Sequence, residues 1–217
     1  MNTNREDGSA RSFRARARKT FDTASSFYGF FDFFSRGVFA EAAVLLSQAI
    51  PMGPETSVLE VFCATGLFSR IIAATGTHVT AVDISPLMVK RAKREGKGLP
   101  IDFLVGDAAD LPFPDNSFDL VVAGRGLHAM PRQVRDAVVA DIRRVCAGHA
   151  LFMEPSLPGS ILSKGVMGIL ERLEGGYEDY RDFIASDFKA YLSGMGFVVQ
   201  DLMLRDGERI VLGAKAR

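Results

Sequence analysis

Two aspartates, Asp83 and Asp107, stand where a carboxylate can grip a nucleoside. Each follows a short apolar run, Val79-Thr80-Ala81-Val82 before Asp83 and Phe103-Leu104-Val105-Gly106 before Asp107. A carboxylate at the tip of a parallel strand can accept both ribose hydroxyls, as the acid of a dinucleotide fold does. A second one, between Gly106 and Ala108, can accept from the exocyclic amine of adenine. Ile84 and Met88 can wall the ring. Plainer readings stand beside these: Asp83 as a surface acid capping a helix, Asp107 as a turn acid, Ile84 and Met88 as core.

These groups need a scaffold that brings strand tips together, and the chain alternates accordingly. Strands are predicted over 58–62, 78–82, 101–105, 118–123 and 150–153. Helices are predicted from Gly66 to about residue 75, from Ser85-Pro86 onward, where a hydroxyl cap precedes a first-turn proline, and over 133–146. The end breaks the pattern, with a helix over 187–195 and then strands over 197–204 and 208–214. Asp206-Gly207 between the last two is a hairpin signal. Alternating strands and helices mean an α/β three-layer sandwich. Its sheet has seven strands, mostly parallel, and finishes in a C-terminal antiparallel β-hairpin.

Ahead of this domain, 21–36 is crowded with aromatics and reads as helix, as does 38–49, ended by Pro51, Gly53 and Pro54. Residues 1–18 read as a flexible tail, with Arg11, Arg14, Arg16, Arg18 and Lys19 giving it a basic face that is either solvated or weakly drawn to an anionic membrane surface. The organisation is therefore tail 1–18, N-terminal helices 19–54 and ligand-binding domain 55–217.

Composition excludes several classes. Lys plus Arg (26) balances Asp plus Glu (26), so no basic field argues for nucleic acid. The two cysteines, Cys63 and Cys146, fit no metal spacing or disulfide framework, which points to a reducing cytoplasm. No apolar run approaches the roughly 18 residues of a membrane span.

The motifs resemble a known family. Val58-Leu59-Glu60-Val61-Phe62-Cys63-Ala64-Thr65-Gly66 is similar to the first motif of class I S-adenosylmethionine-dependent methyltransferases, on the Rossmann-like fold. Ala81-Val82-Asp83-Ile84-Ser85-Pro86-Leu87-Met88 resembles the second motif. Gly106-Asp107-Ala108-Ala109-Asp110-Leu111-Pro112-Phe113 with Pro114-Asp115-Asn116-Ser117-Phe118-Asp119 resembles the third. A narrower resemblance is to the ubiquinone/menaquinone biosynthesis C-methyltransferases, carried by Phe21-Asp22, Ala24 and Tyr28, by Gly126-Leu127-His128, and by Glu154-Pro155-Ser156. The resemblance implies S-adenosylmethionine as cofactor, with Tyr28 over its methionine end and Glu60, Phe62, Cys63, Ala64, Gly66 and Gly124 around it. It also implies a small apolar, quinone- or lipid-like acceptor, and a monomer or homodimer.

The first motif departs from the family's pattern. Phe62 and Ala64 stand where glycines are usual, and only Gly66 remains. A positive φ at a bulky residue there would cost on the order of 1–3 kcal/mol. Three outcomes are open: a shifted loop that still binds the cofactor, a ring that reshapes the pocket, or a noncatalytic binding protein on the same scaffold.

Methyl transfer asks the protein mainly to position two reactants and exclude water. His128, after the fourth strand, is the candidate base or acceptor-orienting group. Arg125 is a candidate for an anionic acceptor or the cofactor's carboxylate. Tyr177 and Tyr180 either cover the acceptor or form a solvated helix face. The stretch 161–173 and the aromatic N-terminal helix favour an apolar acceptor.

Overall fold

Buried parallel strands need apolar side chains on both faces, and the computed structural model builds its sheet from such runs. It describes residues 8–26, 28–156, 177–205 and 208–216. The stretch 161–173, the turn residues Asp206 and Gly207 and the side chain of Tyr177 lie outside them. In chain order the elements are α1 (Gly8–Ala24), α2 (Tyr28–Ala49), β1 (Val58–Val61), α3 (Leu67–Ala73), β2 (Val79–Asp83), α4 (Pro86–Glu95), β3 (Ile101–Val105) and β4 (Phe118–Gly124). A 3-10 turn (Leu127–Ala129), α5 (Arg132–Val145), β5 (Cys146–Pro155), α6 (Tyr177–Ala185), α7 (Phe188–Gly194), β6 (Phe197–Arg205) and β7 (Glu208–Lys215) follow.

The sheet order is β3-β2-β1-β4-β5-β7-β6. β1 pairs in parallel with both β2 and β4, while β7 runs antiparallel to β5 and β6. The chain thus builds outward from β1 in one direction and resumes at β4 in the other. The crevice at this reversal, outside the carboxyl ends of the strands, is where such sheets hold ligands.

Alternation along the strands sorts two cores. Leu59, Val61, Val121, Ala123 and Phe152 face α5, α6 and α7, packing with Val138, Ile142, Phe183 and Phe188. Val58, Val79, Ala81, Val122 and Leu151 face the other side, with Phe68, Ile72, Val89 and Leu46. Two caps set helix starts. Ser85 Oγ accepts the Met88 N–H at α4, and Asp187 accepts the Ala190 N–H at α7.

The N-terminal third differs from the sequence expectation. Residues 8–18 are not tail but the first part of α1. Ala10, Phe13, Ala17 and Phe21 recur at helical spacing, a stripe hidden among the arginines; Ala10 and Phe13 pack against the core. α1 ends at Ala24 and α2 runs from Tyr28 to Ala49 without a break near Gly37, where the glycine keeps helical backbone. Among the described residues, no helix is long and apolar enough to cross a membrane.

Candidate functional site

A cleft of about 850 Å³, its open mouth included, lies at the carboxyl ends of β1 to β4. Asp83 and Asp107 both line it. Asp83 does not cap α4; Ser85 does. The buried carboxylate of Asp83 accepts the Ala64 N–H at 2.8 Å and the Ser85 N–H at 2.9 Å, tying the loop after β1 to the tip of β2. Burial pushes its carboxyl up to about 6, against the opposing pull of those two bonds. Asp107 makes a turn bond, accepting the Ala109 N–H at 2.9 Å, yet its Oδ2 faces the cleft 2.5 Å from Arg14 Nε. It therefore makes the turn bond of the plain reading and also lines the cleft.

The loop after β1 keeps left-handed backbone at alternate residues. φ is 60° at Phe62, 45° at Ala64 and 71° at Gly66. These are the conformations a glycine motif would supply at no steric cost, here imposed on a phenylalanine and an alanine. Polar ties hold the loop in place. Beside Asp83's bond to Ala64, Thr65 Oγ1 donates to Asp32 at 2.8 Å, and Arg70 Nη1 donates to the Thr65 carbonyl at 2.6 Å. The Phe62 ring packs against the α5-side core, and a Cβ at Gly126 would overlap it. The glycine missing at 62 thus has a counterpart at 126, which receives the ring. Gly66 lines neither cavity; it takes left-handed backbone at the start of α3, and a Cβ there would run into the Phe103 ring.

Phe62, Tyr28, Ala64, Gly124 and Arg125 also border a smaller cavity of about 490 Å³, which adds Asp32, Glu60 and Cys63. Glu60 is 4% exposed and takes a hydrogen bond from Ser69 Oγ; burial pushes its carboxyl up to about 8. Burial likewise raises Asp32 and pushes the Cys63 thiol well up. Both Cys63 and Cys146 are free and buried.

Ile84, Gly106 and Ala108 line the larger cleft, but Met88 does not. It is a fully buried residue of α4, so the core reading holds for it and the wall reading falls. Arg125 sits at the boundary of both cavities, paired with Glu208, and burial lowers its pKa. His128 lines the larger cleft, its Nδ1 2.7 Å from Glu154 Oε2. Tyr180 is buried rather than solvated, its ring edge-on to His128 with centroids 6.0 Å apart.

Sequence reasoning missed Phe13, Arg14, Asp32 and Gly126. The α1 stripe was the available signal for the first two. For Asp32 no local signal exists, and Gly126, quoted above only within a resemblance, carries none for its packing, because each partner, Thr65 or Phe62, is distant in sequence.

Residues 58–148 match the model of a family described as a methyltransferase domain. The sterol 24-C-methyltransferase ERG6B of Gibberella zeae is 37% identical over 112 residues, which are 49% of this chain and 29% of that protein. A demethylmenaquinone methyltransferase of Renibacterium salmoninarum is 43% identical over 83 residues, 38% of this chain and 34% of that protein. The chain thus spans about a third of the length of these curated relatives. Among solved structures, phosphoethanolamine N-methyltransferase 2 of Haemonchus contortus, in complex with phosphomonomethylethanolamine and S-adenosylhomocysteine, superposes with a TM-score of 0.68 at 17% identity. The match covers 90% of this chain and 58% of that one, and it is a likeness of fold.

Proposed function

We propose that this chain, which carries a class I methyltransferase domain on a sheet of the corresponding topology, binds S-adenosylmethionine and moves its methyl group to a small apolar, quinone- or lipid-like acceptor. The observation that carries the reading is the convergence of Asp83 and Asp107 on one cleft beside a loop with left-handed backbone at 62, 64 and 66.

The donor set fits the cofactor. Asp83 would take the ribose hydroxyls, Asp107 the adenine amine, and Ile84 and Ala108 the ring faces. Across Phe62, the lobe with Tyr28, Asp32, Glu60 and Arg125 would receive the methionine end, with acids for its ammonium and a guanidinium for its carboxylate. When bound, S-adenosylmethionine supplies a methyl group on a sulfonium, so the leaving group comes with it. The residues contribute position, exclusion of water and a place for a proton. Phe13, Phe21, Met130 and Val134 give the cleft apolar walls. The curated relatives named for sterol and demethylmenaquinone substrates favour an apolar acceptor as well.

A second reading, a noncatalytic or altered-ligand binding protein, draws on two facts: Phe62 stands between the cavities, and Arg14 faces Asp107. Incubation with methyl-labelled S-adenosylmethionine and a reduced demethylated naphthoquinone separates the two. Label in the extracted quinol supports the transferase. Saturable cofactor binding with no label in that quinol or in a sterol acceptor favours the second reading.

A further inference from the structure

The chain is neutral as a whole, with 26 Lys or Arg against 26 Asp or Glu, but its charge is unevenly spread. α1 holds five cations and one acid, and α4 holds four cations and one acid. Some of these cations are engaged within the fold. Arg14 pairs with Asp107, Arg91 pairs with Glu95, and Arg16 lies within electrostatic reach of Asp179. Arg18, Lys19 and Lys90 are exposed and have no ion-pair partner among the described residues. Arg94, 76% exposed, approaches Glu95 at 3.9 Å. Helix packing gathers these four on one corner. Asp22 Oδ1 of α1 accepts from Ser85 Oγ at 2.5 Å and lies 3.4 Å from the backbone nitrogen of Leu87 at the start of α4. One turn on, Arg91 Nη1 donates to the Ser25 carbonyl at 2.7 Å. Arg18 and Lys19 stand four and three residues before Asp22, so helical spacing puts them on the side of α1 that meets α4. Leu87, Lys90 and Arg94 recur at three- and four-residue spacing on the outer face of α4. Leu87 is apolar and yet 46% exposed. The same α1 lines the cleft with Phe13, Ala17 and Phe21, so this corner borders the cleft.

We propose that this corner, Arg18, Lys19, Lys90 and Arg94 with Leu87 among them, docks the protein on the anionic surface of a lipid bilayer. The four cations complement headgroup phosphates and carboxylates. A leucine beside them suits the boundary between headgroups and acyl chains. Single-stranded nucleic acid would instead call for rings on which bases stack, and the exposed apolar group here is aliphatic. The basic charge that composition assigns to a tail is thus built into the rim of the fold. Docking there sets α1, and the cleft that it walls, beside the bilayer, from which an apolar acceptor can be drawn. Delivery of the acceptor rests on the methyltransferase reading; the docking does not.

Co-sedimentation of the full chain with phosphatidylcholine vesicles, with and without phosphatidylserine, tests this. Binding is expected only to the anionic vesicles at about 0.1 M salt, and is lost at about 1 M, where the Debye length falls to about 3 Å. Each basic side chain at such a surface is worth about fivefold in partitioning, so Lys19→Gln/Lys90→Gln should bind about twentyfold more weakly. Arg181→Gln/Lys189→Gln removes the same charge from exposed side chains of α6 and α7 and should bind as wild type does. The chain has no tryptophan, so Leu87→Trp places a single reporter in the corner, and its emission should shift to the blue on anionic vesicles. Absence of wild-type binding to anionic vesicles overturns the proposal, even if a variant fails to fold. So does equal weakening by the two glutamine pairs, or an unshifted emission from vesicle-bound Leu87→Trp. Tighter binding of a short single-stranded RNA than of the vesicles at the same salt overturns it as well. Failure of the wild type to bind S-adenosylhomocysteine would instead remove the methyltransferase reading and leave the docking result standing.

Discussion

Arg14 Nε of α1 lies 2.5 Å from Oδ2 of Asp107 at the tip of β3, closing a contact between the N-terminal helix and the acid assigned to adenine. A second tie runs beside it, from Ser85 Oγ to Asp22 Oδ1 at 2.5 Å. Together they make α1 the outer wall of the cleft, over acids that strand topology alone would leave facing solvent.

An adenine amine that takes Oδ2 of Asp107 must loosen this ion pair, whose side chains are 21% and 30% exposed. Pairs of that exposure are worth about 0.2–1 kcal/mol. Arg14→Ala should therefore tighten S-adenosylhomocysteine binding by no more than about fivefold, read by calorimetry. A large loss of affinity would instead place Arg14 on the ligand.

Phe62 and Gly126 are coupled by sterics. Gly126→Ala puts a methyl group into the Phe62 ring and should cost about 1–3 kcal/mol, the usual penalty for overpacking. In Phe62→Ala/Gly126→Ala the clash is absent, so the two losses should be far from additive in a urea denaturation cycle. Additive losses would show that the ring does not rest on residue 126.

Burial also predicts how stability follows pH. The folded carboxyl of Glu60 sits at about 8 against an ordinary 4.5, and that of Asp83 at about 6 against 3.8. Between each pair of values the folded chain holds a proton that the unfolded chain has released. The associated stability is whole below the ordinary values and drains away as pH rises through about 6 and then about 8. Glu60→Gln keeps an oxygen for Ser69 Oγ and removes the titration. Its urea midpoints should decline less than wild type over that range, and parallel curves would contradict the assignment.

Much of this architecture is legible in the residues. Asp83 and Asp107 are readable because strand tips in a parallel sheet face one crevice, and the strand pattern from Val58 to Met153 is strong. The end of the sheet is readable from two apolar runs flanking an Asp-Gly pair. What escapes is what depends on distant partners. The role of Gly126 appears only once the Phe62 ring is placed, since one lies after β4 and the other after β1. Met88 looks like a ligand wall because it follows Asp83, but one helical turn carries it into the core. The arginines of α1 mimic the composition of a tail, and only the spacing of Phe13, Ala17 and Phe21 opposes that reading.

In the proposed site Asp83 and Asp107 hold one adenosine between them. Calorimetric titration of S-adenosylhomocysteine into wild type and Asp107→Asn tests it most directly. Saturable one-site binding is expected in wild type, weakened about tenfold in the variant, where an amide hydrogen faces the ligand's amine. No heat in the wild type, or identical curves for the two proteins, would contradict it.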